Sequence, residues 1–380
     1  MRSVSFVLLL WLAGLGAAAQ FAKVGLILPE LAIVYPQAGA SIGWLVSLIS
    51  AVGAALGLFA GLIAVRIGLR RLLIAALALG AAASFAQATL PGFGFMLLSR
   101  LVEGASHLGI VVVAPTLIAQ IASDRWRGLA MTLWGTFFGV AFAIVAWIGL
   151  PLVAANGPAA LFAAHGLYMS AIALVLASSL PRPASGGTRL RWHEIARRHV
   201  AVYASPRVGA AAAGWLFYTF TFVALATVLP ATVPPEQRAF VAGAMPIASI
   251  VSSMTLGVWL LRRTSAVGVI MLGFALAAAL SGALALAPGS VSLPIALFAA
   301  LGLVQGASFA AVPELNASAE ARANANGGMA QTGNIGNGIG TPVLLALLGA
   351  AGFAGAMLTT AAILLGGLGV HLWLARRRRT

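Results

Sequence analysis

Long apolar runs recur along this chain and constrain its fold more than any other feature. About 20 consecutive apolar residues are needed for a helix to cross the hydrocarbon core of a bilayer. Hydrophobic residues make up 61% of the chain and charged residues only 8%, against roughly 25% charged in a soluble domain. The sequence therefore predicts an all-α integral membrane protein with twelve transmembrane helices. The predicted spans are 5–28, 41–64, 72–90, 93–120, 128–150, 158–180, 208–230, 239–261, 265–287, 293–313, 326–350 and 355–375.

The placement of basic residues predicts the orientation of these spans. The net charge is +15, and all 22 basic residues except Lys23, Arg100 and Arg238 fall in segments on one side of the predicted spans. Under the positive-inside rule, that side is the cytoplasm and both termini lie there. We therefore expect a multi-pass protein of a bacterial inner membrane. Its basic loops would meet anionic lipids, which makes a nucleic-acid partner unnecessary to explain the charge.

The N-terminus also has some features of a signal peptide. Arg2 precedes a leucine-rich run, and the small residues Ala17, Ala18 and Ala19 resemble a cleavage site. The apolar character continues to Leu28, however. We therefore expect a retained first span.

The longest polar stretch divides the chain into two similar halves. The predicted domains are a six-helix bundle at 1–180, a cytoplasmic linker at 181–207, and a second bundle with a basic tail at 208–380. The arginine-rich linker is predicted either to form an amphipathic helix on the inner membrane surface or to be a solvated connection. No partner-binding motif is visible in the short loops, and we expect a monomer.

Short matches relate the halves at an offset of about 200 residues. The segment 61–66 matches 257–262, and Glu103-Gly104 matches Gln305-Gly306. An internal repeat of this kind is typical of transporters that place their site between two halves.

Two local motifs make the chain resemble the major facilitator superfamily of secondary transporters, and the resemblance covers essentially its whole length. The loop after span two follows the family pattern G-x-L-A-D-R-x-G-R-R, with Val65 in place of the aspartate. Its matching residues are Gly61, Ile63, Ala64, Arg66, Gly68, Arg70 and Arg71. In span four, Arg100 and Gly104 match R-x-x-x-G. The resemblance implies two six-helix bundles related by pseudo-two-fold symmetry, alternating access, and a gating role for the loop.

Ionisable residues within the predicted spans are few and therefore mark a candidate site. Arg100, Glu103 and His107 lie at i, i+3 and i+7, on one face of span four. Lys23 lies on span one, with Gln20 about one turn before it. The resemblance implies that spans one and four both line the central cavity, so Lys23 could reach Glu103.

These residues suggest separate tasks in binding and coupling. Lys23, Arg100 and Gln20 would bind the substrate, with the two cations attracting an anionic group. Glu103 would carry a proton, with His107 as a second candidate. The structural alternatives are a fixed Arg100–Glu103 pair within the helix and a Lys23 side chain that extends to the membrane interface.

The second half offers amides rather than charges. Gln305 occupies the repeat position of Glu103, and span eleven carries Gln331, Asn334 and Asn337 among glycines. We expect these amides either to bind polar groups of the substrate or to bond neighbouring helices.

The sequence thus predicts a proton-coupled symporter for a small organic anion or zwitterion, not an enzyme, with no cofactor and no resident metal. An exporter of drug-like compounds or metabolites is the main alternative. It is weakened because Val140 stands where a G-x-x-x-G-P exporter motif has proline. A copper importer using His165 and Met169, and a non-transporting membrane sensor, are minor alternatives.

Overall fold

The computed structural model describes residues 2–123, 125–180 and 203–378, and every regular element in these ranges is helical. The chain forms two compact units, Met1–Leu190 and Arg191–Thr380. Ten described helices are long and apolar enough to cross a membrane, or eleven if a bent pair counts as one span. The protein is therefore a multi-pass membrane protein. The predicted linker at 181–207 lies, apart from residues 203–207, outside the described residues.

The described part of the first unit contains ten α-helices, among which α1 packs against α6, α8 and α10, and α5 packs against α6 and α10. A 3-10 stretch precedes α3, and a π-helical turn joins α8 to α9. The helices are α1 (Arg2–Gly25), α2 (Leu28–Val34), α3 (Trp44–Ser47), α4 (Ile49–Ile67), α5 (Leu69–Ala88), α6 (Phe93–Ile121), α7 (Arg127–Gly135), α8 (Phe137–Ile144), α9 (Leu150–Asn156) and α10 (Pro158–Ser179).

The described part of the second unit contains six α-helices. They are α11 (Val208–Val228), α12 (Pro235–Ser252), α13 (Val258–Leu261), α14 (Ala266–Leu286), α15 (Ser292–Leu315) and α16 (Ala319–Arg377). The α16 helix packs along α11. Gly333, Gly336 and Gly340 of α16 face α11 so closely that an added Cβ at any of them would overlap an α11 atom. Small residues thus permit the close helix contact that membrane helices need in order to pack.

Two spans predicted as single helices are interrupted, which corrects the sequence-based prediction. Span two bends by 42° where α3 gives way to α4, at Leu48. Span five is divided at Thr136. The hydroxyl of this residue donates to the Leu133 carbonyl at 2.7 Å and so competes with the backbone hydrogen bonds of the helix. Leu48 is neither glycine nor proline, so the usual sequence signal of a break is missing there, whereas Gly135 directly precedes the break at Thr136.

The longest helix contains a break that the sequence predicts. A straight helix of 59 residues would extend about 88 Å, far beyond the roughly 30 Å of the hydrocarbon core. Within α16, Gly352 has φ 66° and ψ −175°, a conformation that ends one helix and begins another. Gly352 falls in the predicted gap between spans eleven and twelve, and only glycine adopts this conformation readily.

Replacing Gly352 with alanine should lower the melting temperature of the protein. The site has no atom within 4 Å of an added Cβ, so the loss would come from backbone strain of about 1–3 kcal/mol. Gly349→Ala is the matched control, because it also adds a Cβ in open space but lacks the positive φ. Equal melting temperatures for the two variants would contradict this account.

Candidate functional site

Three ionisable side chains meet in the interior of the first unit. The Lys23 Nζ on α1 lies 2.6 Å from Oε1 of Glu103 on α6. Arg100, one turn before Glu103, pairs through Nη1 with Oε2 of the same carboxylate. All three side chains are fully buried. Lys23 therefore reaches Glu103, as the sequence predicts, and the alternative in which it extends to the membrane interface is wrong.

Arg100 is fixed by the backbone as well as by Glu103. Its Nε donates to the Leu45 carbonyl at 2.6 Å, in the last turn before the bend of span two. Its Nη2 donates to the Gln20 carbonyl on α1 at 2.8 Å. The planar guanidinium thus connects α1, α3 and α6 through three nitrogens in a fixed geometry, which the compact ammonium of a lysine does not provide.

The contact between Gly104 and span two explains why a small residue is needed one helical turn after Arg100. A Cβ at Gly104 would overlap the carbonyl oxygen of Ile49. Arg100 and Gly104 therefore contact carbonyls of Leu45 and Ile49, which are also about one turn apart on span two. This pair of contacts accounts for the R-x-x-x-G motif and lies on either side of the bend at Leu48.

The Glu103 carboxylate accepts hydrogen bonds on both oxygens. Besides Lys23, its Oε1 faces the Ser84 hydroxyl at 3.5 Å. Besides Arg100, its Oε2 accepts from the Gln87 amide at 2.9 Å. With two cations against one carboxylate, the buried cluster carries one positive charge in excess when Lys23 is protonated. Removing charges from water without full compensation is costly, so this excess is the main electrostatic feature of the site.

Ser84 and His165 complete the surroundings of Lys23, and the sequence identified neither of them as a partner of this lysine. Lys23 Nζ donates to Ser84 Oγ at 2.5 Å and lies 3.3 Å from Nδ1 of His165. The other ring nitrogen of His165 lies 2.9 Å from the Gly16 carbonyl. A carbonyl can only accept, so the hydrogen of the neutral ring is on Nε2, and Nδ1 presents its lone pair to Lys23 and Ser84.

These contacts argue against a copper site at His165 and Met169. Both ring nitrogens of His165 have partners within the protein. Among the residues that the structure describes, no group of three or more His, Asp or Glu side chains is placed to hold a metal ion.

Gln20 and His107 border the cluster. The Gln20 side-chain amide donates to Ser106 at 2.9 Å, and its side-chain oxygen is buried without a hydrogen-bond partner. His107 Nδ1 lies 3.0 Å from the Ala17 carbonyl, and its ring meets the edge of Phe21. His107 therefore shares the face of Arg100 and Glu103 but is bonded to the backbone of α1.

The predicted gating loop forms the turn between α4 and α5. Gly61 lies within α4, and Gly68 makes the turn with φ 90°. Arg70 donates to the Leu180 and Ala177 carbonyls at 3.0 and 2.5 Å, where α10 ends. Arg66 and Arg71 are exposed. Arg70 therefore satisfies the C-terminal carbonyls of a neighbouring helix, a favourable position for a cation.

In the second unit, the predicted amides have separate partners. Gln305 accepts from Ser249 at 3.4 Å, and the Asn334 side chain donates to the Ala330 carbonyl of its own helix at 2.8 Å. Gln331 accepts from the Tyr203 hydroxyl at 2.8 Å, and burial raises the pKa of this phenol. Asn337 is half-buried on the same helix.

The sequence profile of the Major Facilitator Superfamily matches residues 10–319. The chain belongs to this family. Membership of this family makes it a transporter rather than an enzyme. A curated relative, the niacin transporter NiaP of Acinetobacter baylyi, is 28% identical over 204 residues. That match covers 51% of this chain and 46% of the relative, so it spans only about half of either protein.

Solved transporters share the fold over nearly the whole chain. A bacterial homologue of the human lysosomal transporter Spinster superposes with a TM-score of 0.76 at 14% identity, covering 98% of this chain and 97% of that one. The fucose:proton symporter FucP of E. coli gives a TM-score of 0.67 at 18% identity, covering 98% of each chain. At these identities the similarity shows the fold alone.

Replacing Gly104 with alanine should destabilise the first unit. The added Cβ would meet a backbone carbonyl, which cannot rotate away as a side chain can, so α6 and span two would have to separate. We expect a loss of about 1–3 kcal/mol, as for other overpacked sites, measured as a fall in melting temperature. Gly282→Ala, in mid-helix on α14 with open space around it, should have no such effect.

Proposed function

We propose that this chain is a proton-coupled secondary transporter that carries a small organic anion or zwitterion across a bacterial inner membrane by alternating access. The observation that carries this proposal is that two basic side chains, Lys23 and Arg100, contact one carboxylate, Glu103, so the cluster has one positive charge in excess when Lys23 is protonated. All three side chains are fully buried. An uncompensated charge is costly there, and an anionic substrate would compensate it.

The relatives support both parts of this proposal. Niacin, named in the relative from Acinetobacter baylyi, is a small aromatic carboxylic acid and is anionic at neutral pH. The fucose:proton symporter shows that the same fold can couple a substrate to protons. We propose twelve spans in two six-helix bundles, 1–180 and 208–380, with both termini cytoplasmic. The break at Gly352 supports this count because it divides the longest helix in two.

The contacts of the two cations suggest different roles for them. Arg100 is held by two backbone carbonyls, so it would stay in place during transport. Lys23 is held only by side chains: Glu103, Ser84 and His165 make polar contacts with it, and its Nζ lies 5.3 Å from the centre of the Phe162 ring. Lys23 is therefore the better candidate to exchange Glu103 for a substrate carboxylate. A cationic drug would instead have to displace both cations from Glu103, which disfavours the exporter alternative.

Replacing Glu103 with glutamine should abolish accumulation driven by a proton gradient while sparing substrate exchange. The variant keeps Arg100 as a permanent positive charge for the substrate but removes the carboxylate that balances it. Radiolabelled nicotinate in proteoliposomes would measure both activities, and Glu236→Gln, on the exposed first turn of α12, is the control. If accumulation and exchange fell together, Glu103 would be needed for binding or folding rather than for coupling.

Replacing Lys23 with glutamine should weaken binding of an anion much more than binding of its neutral analogue. A hydrogen bond to a charged partner contributes about 1.5–3 kcal/mol, so nicotinate should lose roughly ten- to a hundredfold in affinity. Nicotinamide, which has the same ring without the carboxylate, should lose little. Ligand-induced thermal stabilisation of the purified protein would measure both. Unchanged nicotinate affinity would show that Lys23 does not contact the substrate.

A further inference from the structure

Building on the proposed function, we propose that Lys23 itself carries the transported proton. The proton and a monovalent anion would then bind as a pair at Lys23, so that each transport step moves one of each and no net charge.

The argument begins with the charge of the buried cluster in each protonation state. When Lys23 is a neutral amine, Arg100 and Glu103 balance each other and the cluster has no net charge. When Lys23 is an ammonium, the cluster has one positive charge in excess, and a bound monovalent anion removes that excess. Two states are therefore neutral: the empty site with an amine, and the loaded site with an ammonium and an anion. The states with a proton alone or an anion alone leave a buried charge uncompensated.

The hydrogen bonds favour Lys23 over Glu103 as the proton carrier. The carboxylate accepts from Lys23, Ser84, Gln87 and Arg100. Arg100 is held in place by the Leu45 and Gln20 carbonyls. Hydrogen bonds to the charged form of a group favour that form, so Glu103 stays a carboxylate as long as Arg100 faces it. The sequence alone favoured Glu103 because the partners on other helices were not visible.

The remaining neighbours of Lys23 can accommodate both of its protonation states. The ammonium can donate to Glu103 Oε1 and Ser84 Oγ, and also to His165 Nδ1 when the Ser84 hydroxyl, 2.7 Å from the same nitrogen, turns away from it. The neutral amine has a lone pair, to which the Ser84 hydroxyl can turn and donate. His165 is held at Nε2 by the Gly16 carbonyl, so its Nδ1 remains an acceptor at a fixed position.

No other titratable group is needed to account for the charge change. On α6, Arg100 and Glu103 face Lys23, while His107 is bonded to the Ala17 carbonyl. On α10, the group that faces Lys23 is His165. The α5 helix presents Ser84 and Gln87, its arginines being in its first turn, and α8 has no ionisable residue.

Charge and proton movement measured together test this proposal. In proteoliposomes, the wild-type protein should take up one proton with each nicotinate and generate no current on a solid-supported membrane. Lys23→Arg, which keeps the cation but cannot release its proton, should move nicotinate without protons and with a current. Nicotinate flux with an unbalanced charge in the wild type, or one proton per nicotinate in Lys23→Arg, would overturn this inference alone. A wild-type protein that transports neither nicotinate nor any other small anion would overturn the proposed function as well.

A measurement on the wild-type protein keeps the proposal testable if Lys23→Arg fails to fold. Lys23 is the sole lysine of the chain, so protein labelled with ¹³C-lysine gives one Cε signal that reports the charge of this residue. At a pH where the empty protein shows the amine, saturating nicotinate should move the signal to the ammonium position, and nicotinamide should not. An amine signal that persists when nicotinate saturates the protein would overturn the proposal.

Two substitutions, His165→Gln and His165→Asn, then test whether His165 positions Lys23 or only contributes to folding of the protein. Glutamine retains a group that can donate to the Gly16 carbonyl but removes the acceptor at Nδ1, whereas asparagine retains an acceptor near Nδ1. If His165 positions Lys23, His165→Gln should change the pH dependence of the lysine signal, and His165→Asn should restore much of it. The control, His371→Gln, replaces a buried histidine of the second unit and should leave the signal unchanged. Equal effects of His165→Gln and His371→Gln would contradict the positioning role.

Discussion

The hydrogen bonds that Arg100 makes to two backbone carbonyls hold the centre of the first unit together. They connect α6 to α1 and to the end of α3, where span two bends. The same guanidinium faces Glu103 and so fixes the carboxylate to which Lys23 binds. If Arg100 moved, its hydrogen bond at the bend and its ion pair with Glu103 would be lost. The carboxylate that binds Lys23 would then no longer be held in place. Arg100 therefore serves first to connect helices, and its charge acts through Glu103.

The membrane architecture could be predicted from the sequence because a bilayer requires long apolar helices. The gap before span twelve could also be predicted, since Gly352 marks it with a residue that tolerates positive φ. The bend at Leu48, however, could not be predicted from the sequence. It has no glycine or proline signal, and it lies between two carbonyls whose partners, Arg100 and Gly104, are more than 50 residues away in the chain. Such a feature depends on helix packing rather than on local preference.

The sequence predicted the candidate site along α6 and, through the family resemblance, the contact of Lys23 with Glu103, but not the other partners. The spacing of Arg100 and Glu103 places them on one face of α6 whatever surrounds them. The partners from other helices depend on how each helix is rotated about its own axis, which an apolar sequence barely specifies. Ser84 and Gln87 left one usable signal, because they are polar residues three positions apart in an otherwise apolar segment of α5. His165 was noticed, but its neighbour Met169 suggested a metal rather than a lysine.

The use of main-chain carbonyls as the acceptors of Arg100 has a consequence for how such a protein can diversify. Every amino acid supplies the same carbonyl, so substitutions at Gln20 or Leu45 can alter the side chain without removing the acceptor. Lys23 depends instead on side chains, and each of these can be exchanged one at a time. A lineage could therefore acquire new substrates by changing residues around the lysine while the arginine joint stays intact. The first unit thus combines an arginine whose acceptors do not depend on residue identity with a lysine whose partners do.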